Sequence, residues 1–127
     1  MMASVGEFDG YIGPWRERWA RERESALEAA KAARAVAERL AGLLRARYGA
    51  RRVILGGSLA RGDFHRGSDI DLAVEGISPE EFFRAGAALE ENADGFAVDL
   101  VPLESASPRY LATLEREGIV LHDSRRA

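Results

Sequence analysis

The chain has 127 residues, of which 46% are apolar and 31% charged, with no cysteine and a formal net charge of −3. This length and apolar content suit one compact domain, and the lack of cysteine excludes a disulfide-stapled secreted fold. Because no run approaches the roughly 18–20 apolar residues of a membrane span, and the start does not resemble a signal peptide, we expect a cytoplasmic protein without membrane association.

Charge is distributed unevenly along the chain. Residues 14–52 carry ten Arg, one Lys and five Glu, a net charge of +6, so the remaining residues carry −9. A basic segment joined to an acidic one indicates either a charged partner or an acidic site that binds cations. Because the chain as a whole is slightly acidic, we expect no stable binding to nucleic acid.

The first predicted element is a long helix over residues 14–48. Pro14 suits the first helical turn, and Gly49 suits the position after the last one. From residue 26 onward, alanines and leucines recur every three or four residues along one helix face. Residues 1–13 are predicted to be a flexible tail.

A helix of this length would reach beyond a small domain. At about 1.5 Å per residue it spans roughly 50 Å, whereas a globular chain of this size has a diameter of about 36 Å. The helix therefore either breaks near Ser25 or overhangs the domain. In an overhanging helix, Trp15 and Trp19 would anchor a homo-oligomer or another partner. The alternative is that both indoles pack on their own domain.

Short strands and helices alternate along the rest of the chain. Ser-Pro pairs at 78–79 and 107–108 mark two helix starts, and Ser78 and Glu81 suggest a capping box. The alternation predicts an α/β fold, a small mixed sheet with flanking helices, in a single domain over 14–127 with a core at about 50–122. The predicted strands are 52–56, 69–74, 96–101 and 119–121, and the two helices are 79–91 and 108–117.

Three aspartates on two predicted strands are candidate metal ligands. Asp69 and Asp71 project from the same face of their strand, about 6.6 Å apart along it. Such a pair repels unless a divalent cation binds it or one carboxylate takes a proton. Asp99 lies in an apolar run, where an acid is costly to bury unpaired. If the strands are neighbours, three hard carboxylate ligands share one face and favour Mg²⁺ or Mn²⁺; the alternative is solvated aspartates on exposed strands.

A glycine-rich turn lies between the first strand and the aspartate pair. Gly57 allows close backbone approach, and a helix beginning at Ser58 would direct free N–H groups and a hydroxyl at an anion. Arg61, one turn further on, has the charge to neutralise a phosphate. A glycine-serine turn alone is common, so it is the combination with the following carboxylate pair that indicates a nucleotide site.

The order Gly57-Ser58, ten residues, then Asp69-Ile70-Asp71 resembles the G-S-x10-D-x-D signature of the DNA polymerase β-like nucleotidyltransferase superfamily. The stretch GGSLARGDFHRGSDIDLAVEG is similar to the minimal nucleotidyltransferases of that superfamily, and Asp99 in VDLV matches its third acidic position. The resemblance covers about residues 26–122 and implies a polymerase β palm-like nucleotidyltransferase fold.

The resemblance also implies roles for individual residues. Gly57 and Ser58 would hold the triphosphate of ATP, and Asp69 and Asp71 would bind two Mg²⁺ ions. Asp99 would bind one of these ions and help to activate the attacking hydroxyl. Two adjacent ions suit an in-line displacement, because they stabilise both the entering and the leaving oxygen.

The acceptor of the nucleotide is expected to come from a partner, because fewer than 30 residues follow Asp99. By resemblance, this partner is a helical HEPN-domain toxin, and the chain is the antitoxin that transfers AMP to one of its tyrosines. Two alternatives remain open at this point. One is a non-catalytic antitoxin that neutralises its partner by contact, and the other is a homodimeric enzyme that modifies an aminoglycoside.

Overall fold

The computed structural model describes the backbone of residues 2–126 and the side chains of residues 13–125. Within this part of the chain, no helix combines the length and apolarity that a membrane crossing requires. In chain order the elements are α1 (Met2–Tyr48), β1 (Arg52–Gly56), α2 (Gly57–Arg61), β2 (Ile70–Glu75), α3 (Pro79–Glu91), β3 (Val98–Pro102), α4 (Pro108–Glu117) and β4 (Ile119–Asp123), with short 3-10 turns at Leu103–Ser105 and Ser124–Arg126.

The four strands form one mixed sheet in the order β3-β2-β1-β4. β1 lies antiparallel to both β2 and β4, whereas β2 lies parallel to β3. A parallel pair needs a crossover connection, and α3 supplies it. This small mixed sheet with flanking helices confirms the predicted α/β fold class.

One face of the sheet holds the main core, together with α1 and α3. Ile70, Leu72 and Val74 of β2 are fully buried on this face, because residues two apart on a strand share a face. The apolar stripe of α1 packs against them. Its buried members are Ala33, Val36, Ala37, Leu40, Ala41 and Leu44.

The opposite face of the sheet carries a smaller cluster beneath α4. It consists of Ile54, Ala73, Leu103 and Leu114, with Tyr110 packed against it. Ala73 alternates with the core residues of β2, so the same strand serves both faces. The second face is only partly covered, and this leaves room for a site beside α4.

α1 begins earlier than the sequence predicts. The helix starts at Met2 and contains Pro14 in its interior, where the ring removes one backbone hydrogen bond. The predicted start at Pro14 is therefore wrong, and the side chains of residues 1–12 of the predicted tail at 1–13 lie outside the described part of the chain. The sequence has apolar residues at helical spacing on both sides of the proline. They are Val5, Phe8, Ile12, Trp15 and Trp19.

α1 also continues unbroken past Ser25. A helix of this length spans about 70 Å, roughly twice the diameter of the domain. Trp15 is 69% exposed and Trp19 is 60% exposed. The alternative that both indoles pack on their own domain is therefore wrong: the first half of α1 overhangs the domain, and Trp19 only borders a surface cavity that it shares with Phe64 and His65.

Two local predictions need correction. The strand predicted from residue 96 begins at Val98, because the amide of Phe96 is bonded within the preceding turn. Ser78 precedes α3 as predicted, but its side chain makes no capping hydrogen bond. Pro79 in the first turn and the 3.0 Å bond from the amide of Glu81 to the carbonyl of Ser78 mark the helix start instead.

Candidate active site

A row of paired residues crosses the sheet where two of the candidate aspartates lie. Gly56 of β1 pairs with Asp71 of β2, and Asp71 pairs with Asp99 of β3. Directly paired residues on neighbouring strands project from the same face. Asp71 and Asp99 therefore stand side by side on the face that α4 partly covers.

Asp69 lies immediately before β2 and is exposed to solvent. It does not line the cavity that Asp71 and Asp99 share, but its charge acts on Asp71. The structure thus brings two of the three aspartates into one cavity and places the third next to them along the chain.

The glycine turn after β1 is shaped around Asp71. Gly57 has a φ of +65°, a conformation that favours glycine. A Cβ added at Gly57 would overlap the Oδ2 atom of Asp71. The carboxylate of Asp71 is therefore aimed at the turn, and only a residue without a side chain fits between them.

Ser58 and Arg61 follow the turn within the single short helix α2. Ser58 is half-buried beside Gly57. The guanidinium of Arg61 lies 3.6 Å from the carboxylate of Asp63 and 3.9 Å from that of Glu117. Arg61 also lines the cavity that contains Asp71 and Asp99, so its charge faces the carboxylates.

The electrostatics of the site centre on Asp71. Burial raises the pKa of Asp71 above its ordinary value, and the negative charges of Asp99 and then Asp69 raise that pKa further. Arg61 lowers the same pKa, to a smaller extent. Three neighbouring charges therefore act on the carboxyl of Asp71.

The cavity above these carboxylates has a volume of about 210 Å³. Sequence analysis missed the wall that α4 provides, which includes Tyr110, Thr113 and Glu117. Burial raises the pKa of the Tyr110 hydroxyl, and the charges of Asp71 and Asp99 raise it further. The only sequence signal for Tyr110 is its helical spacing from Leu114, which indicates packing and not function.

The donor set is suited to a divalent cation. Within the described residues, no three Asp, Glu, His or Cys side chains are grouped tightly enough to enclose a metal ion. Asp71 and Asp99 nevertheless offer hard oxygen ligands of the kind that Mg²⁺ and Mn²⁺ prefer. A cation between them would relieve the repulsion that raises the pKa of Asp71. Asp71 and Asp99 therefore have the ligand chemistry that the predicted metal requires, whereas Asp69 lies outside their cavity.

The comparisons with known proteins agree with this geometry. The family model described as the nucleotidyltransferase domain matches residues 37–121, well over half of the chain. The chain therefore belongs to the nucleotidyltransferase domain family and is a nucleotidyltransferase. No curated protein matches the chain significantly.

Within that class, the solved structures point to the minimal nucleotidyltransferases. A protein assigned as a minimal nucleotidyltransferase is 36% identical, with a TM-score of 0.60 over 71% of this chain and 93% of that one. The crystal structure of a toxin–antitoxin with AMP-PNP is 30% identical, with a TM-score of 0.61 over 70% of this chain and 75% of that one. The resemblance to minimal nucleotidyltransferases stated from the sequence is thereby confirmed.

A third structure extends the likeness in fold alone. It contains a tri-AMPylated HEPN toxin from Shewanella oneidensis in complex with its MNT antitoxin. The identity is 24% and the TM-score is 0.57, over 73% of this chain and 74% of that one. At this identity the likeness shows a shared architecture.

Proposed function

We propose that the protein transfers AMP from ATP to a tyrosine hydroxyl of a HEPN-domain toxin and so acts as its antitoxin. The observation that carries this proposal is the pairing of Asp71 with Asp99 beside the Gly57 turn. Two carboxylates facing a turn without side chains can hold divalent cations next to bound phosphates. The family supplies the reaction class, and the site supplies groups that suit it.

The reaction joins the acceptor oxygen to the α-phosphorus of ATP and breaks the bond from that phosphorus to the bridging oxygen of the β-phosphate. Pyrophosphate leaves, and the tyrosine proton passes to a carboxylate or to water. Asp99 is suited to orient the acceptor hydroxyl and to take its proton, because it stands at the open side of the row.

The remaining residues hold the nucleotide. The backbone at Gly57 and the hydroxyl of Ser58 would contact the triphosphate, and Arg61 would neutralise part of its charge. Asp69 and Asp71, with Asp99, would bind Mg²⁺. When bound, the metal stabilises the charge that develops on the phosphate and on the leaving pyrophosphate.

The partner is inferred from the relatives. One similar structure is a toxin–antitoxin with AMP-PNP, and another contains an AMPylated HEPN toxin with its antitoxin. Both structures combine a nucleotide analogue or adenylate groups with a toxin partner. These relatives support a HEPN-domain protein as the acceptor, and within it we propose a tyrosine hydroxyl as the modified group.

The proposal is tested by co-expressing the chain with a candidate HEPN-domain toxin. The wild type is expected to add adenylate groups to the partner, which intact-mass and peptide mass spectrometry locate on tyrosine. Asp71→Asn and Asp99→Asn are expected to leave the partner unmodified. Glu115→Gln, an exposed change on α4, serves as the control that preserves transfer.

Two outcomes would overturn the proposal. If wild type and Asp71→Asn neutralise an unmodified partner equally well, the chain acts by contact alone. If purified chain transfers AMP to an aminoglycoside and leaves the HEPN protein unmodified, the acceptor is a small molecule.

A further inference from the structure

The overhanging half of α1 carries an unpartnered aromatic surface. Trp15 and Trp19, one turn apart, are both more than half exposed. The guanidinium of Arg18 lies 6.0 Å from the ring centre of Trp15, and that of Arg23 lies 5.4 Å from the ring centre of Trp19. We call Trp15, Trp19, Arg18 and Arg23 the tryptophan face; although Glu22 lines the same cavity as Trp19 and Arg23, the two arginines leave the face with a net positive charge.

A second unpartnered surface lies on α3. Phe83 is 85% exposed, the highest exposure among the large apolar residues described. On the helix it is flanked by Glu80 three residues before and by Glu90 seven residues after, both of them exposed. We call Phe83, Glu80 and Glu90 the phenylalanine face; it joins an apolar ring to negative charge. Beside it lies a largely apolar cavity of about 370 Å³, lined by Ile77, Pro79, Phe82 and Pro102.

The two faces are complementary in chemistry. Each presents large rings that water solvates poorly, and their charges are of opposite sign. Soluble proteins seldom leave such rings exposed in groups unless another surface covers them. The two faces of one chain cannot cover each other, because the tryptophan face lies on the overhang whereas α3 packs against the opposite end of α1.

The position of α3 makes a reciprocal arrangement possible. The Tyr48 hydroxyl donates to the carbonyl of Arg84 at 3.4 Å, and Nη2 of Arg39 donates to the carbonyl of Asn92 at 2.9 Å. The start of α3 therefore lies beside the end of α1. If a second α1 runs antiparallel to the first, its overhang reaches the start of α3, and a two-fold axis repeats the contact in reverse.

The exposed rings supply a large part of the area that a stable dimer needs. A fully buried aromatic side chain removes about 150–250 Å² from water. Three mostly exposed rings in each of two chains therefore contribute roughly 600–1,000 Å². The arginine stems and the helix surfaces around the rings would supply the remainder of the approximately 1,200–2,000 Å² of a standard interface.

We propose that two copies of this chain form a closed antiparallel dimer in which the tryptophan face of each covers the phenylalanine face of the other. The contact is isologous, so it ends at two copies and forms no open chain. Because neither face contributes to the cavity that holds Asp71 and Asp99, both active sites stay open to ATP and to an acceptor. The dimer is independent of which acceptor the enzyme uses.

The first test is the mass of the purified full-length chain in sedimentation equilibrium. At about 100 µM, where even a micromolar dimer is populated, the wild type is expected to be dimeric. Trp15→Ala with Trp19→Ala, and separately Phe83→Ala, are each expected to weaken the dimer about 100-fold or more, since central aromatic residues dominate interfaces. Leu111→Ala, an exposed apolar residue on α4 outside both faces, is the matched control.

The second test exchanges the charges of the two faces. Arg18→Glu with Arg23→Glu makes both faces acidic, and Glu80→Arg with Glu90→Arg makes both basic. Each variant alone is expected to be monomeric. Their mixture is expected to restore a heterodimer, because every contact again joins opposite charges. Glu115→Arg with Arg116→Glu, on α4, exchanges charges without changing the mass.

Circular dichroism on every variant separates loss of dimer from loss of fold. A folded monomeric wild type would overturn the proposal, as would charge-exchanged variants that remain dimeric alone or stay monomeric when mixed. It would also be overturned by a wild type that is monomeric alone and associates through Trp15 and Trp19 only with the HEPN protein. That result would make the tryptophan face a toxin-docking surface.

Discussion

The two faces of the central sheet use the same strands for opposite purposes. On the face beneath α1, Ile70, Leu72 and Val74 of β2 are sealed from water. On the other face, Asp71 stands between the Gly57 turn and Asp99, in a cavity that α4 leaves open. Because side chains alternate along a strand, one hexapeptide supplies both the core and the acidic site.

In this small domain, the residues that stabilise the fold and the acidic residues of the site lie on different faces of the sheet. The core face gains free energy from apolar burial, whereas the acidic face loses some because its carboxylates repel one another. Adjacent residues of β2 should therefore respond to substitution in different ways. Changes on the acidic face should act on catalysis, and changes on the core face on folding.

The largest effect is expected from Asp71→Asn. The substitution keeps the shape of the side chain but removes the charge that would hold the metal, and a metal held there would stabilise the charge that develops on the phosphate. Groups of this kind contribute about 10²–10³-fold to rate, so we expect AMP transfer to fall by about 10³-fold. Initial rates of pyrophosphate release in the presence of Mg²⁺ and the partner measure it. Retention of more than a tenth of wild-type activity would remove Asp71 from the active site.

Its neighbour Leu72 should give the reverse result. Leu72→Ala leaves a cavity in the core beneath α1 and is expected to lower the free energy of unfolding by about 3 kcal/mol. At low temperature, where Leu72→Ala is expected to remain folded, it should retain AMP transfer. Urea denaturation measures the loss. A stability change below about 1 kcal/mol would mean that this face is not the main core.

Much of this fold is predictable from the sequence, because the signals are local. The apolar run of β1 and the prolines at the starts of α3 and α4 give their boundaries directly. The predictions of the start of β3 and of the side-chain cap at Ser78 were wrong. The amide of Phe96 is bonded within the preceding turn, and the amide of Glu81 is bonded to the backbone carbonyl of Ser78 instead of to its side chain. The long helix was recognised, but a proline inside it was mistaken for its start.

The site was predictable in part. Spacing alone predicts Asp69 and Asp71 on one strand face, and the resemblance adds Asp99. In the structure Asp69 lies just before β2 and outside the cavity that Asp71 and Asp99 share, so the strand start predicted at residue 69 is one residue early. That β2 and β3 are neighbours depends on the parallel crossover through α3, a tertiary property that no local pattern encodes. The wall formed by Tyr110, Thr113 and Glu117 was missed for the same reason.

An intermediate effect is expected from Gly57→Ala. The new methyl group would meet the carboxylate of Asp71, and the φ of +65° is strained for alanine. We expect the turn or Asp71 to shift and kcat/KM to fall about 10- to 100-fold, within the cost of small misplacements in active sites. Gly42→Ala is the matched control, because Gly42 lies in α1 with open space around it. Equal activities of the two variants would contradict the close packing of Gly57 on Asp71.

The smallest effect is expected in the pH dependence of stability, measured in the absence of divalent cations. The pKa of Asp71 is raised in the folded state, so that state binds more protons than the unfolded chain between the ordinary pKa of 3.8 and the raised value. The free energy of unfolding should therefore fall as pH rises through this window. Asp71→Asn should remove this contribution to the pH dependence, and it should be more stable than the wild type at neutral pH. Thermal melts in EDTA measure it.

Addition of Mg²⁺ should reverse the order of stability, so that the wild type becomes more stable than Asp71→Asn. The wild type gains stability from the bound cation, whereas Asp71→Asn should gain less. If Mg²⁺ raised the Tm of both proteins equally, the cation would bind elsewhere. The same melts at matched ionic strength, with NaCl in place of MgCl₂, control for general screening.

The most direct test of the account is a single-turnover reaction of the purified chain with ATP, Mg²⁺ and the HEPN-domain protein. We expect pyrophosphate and tyrosine-linked adenylate to appear in equal amounts, and neither product with Asp71→Asn or Asp99→Asn. If the adenylate forms at the same rate with these variants, or if wild type forms none while still neutralising the toxin, the acidic face is not the site of nucleotidyl transfer.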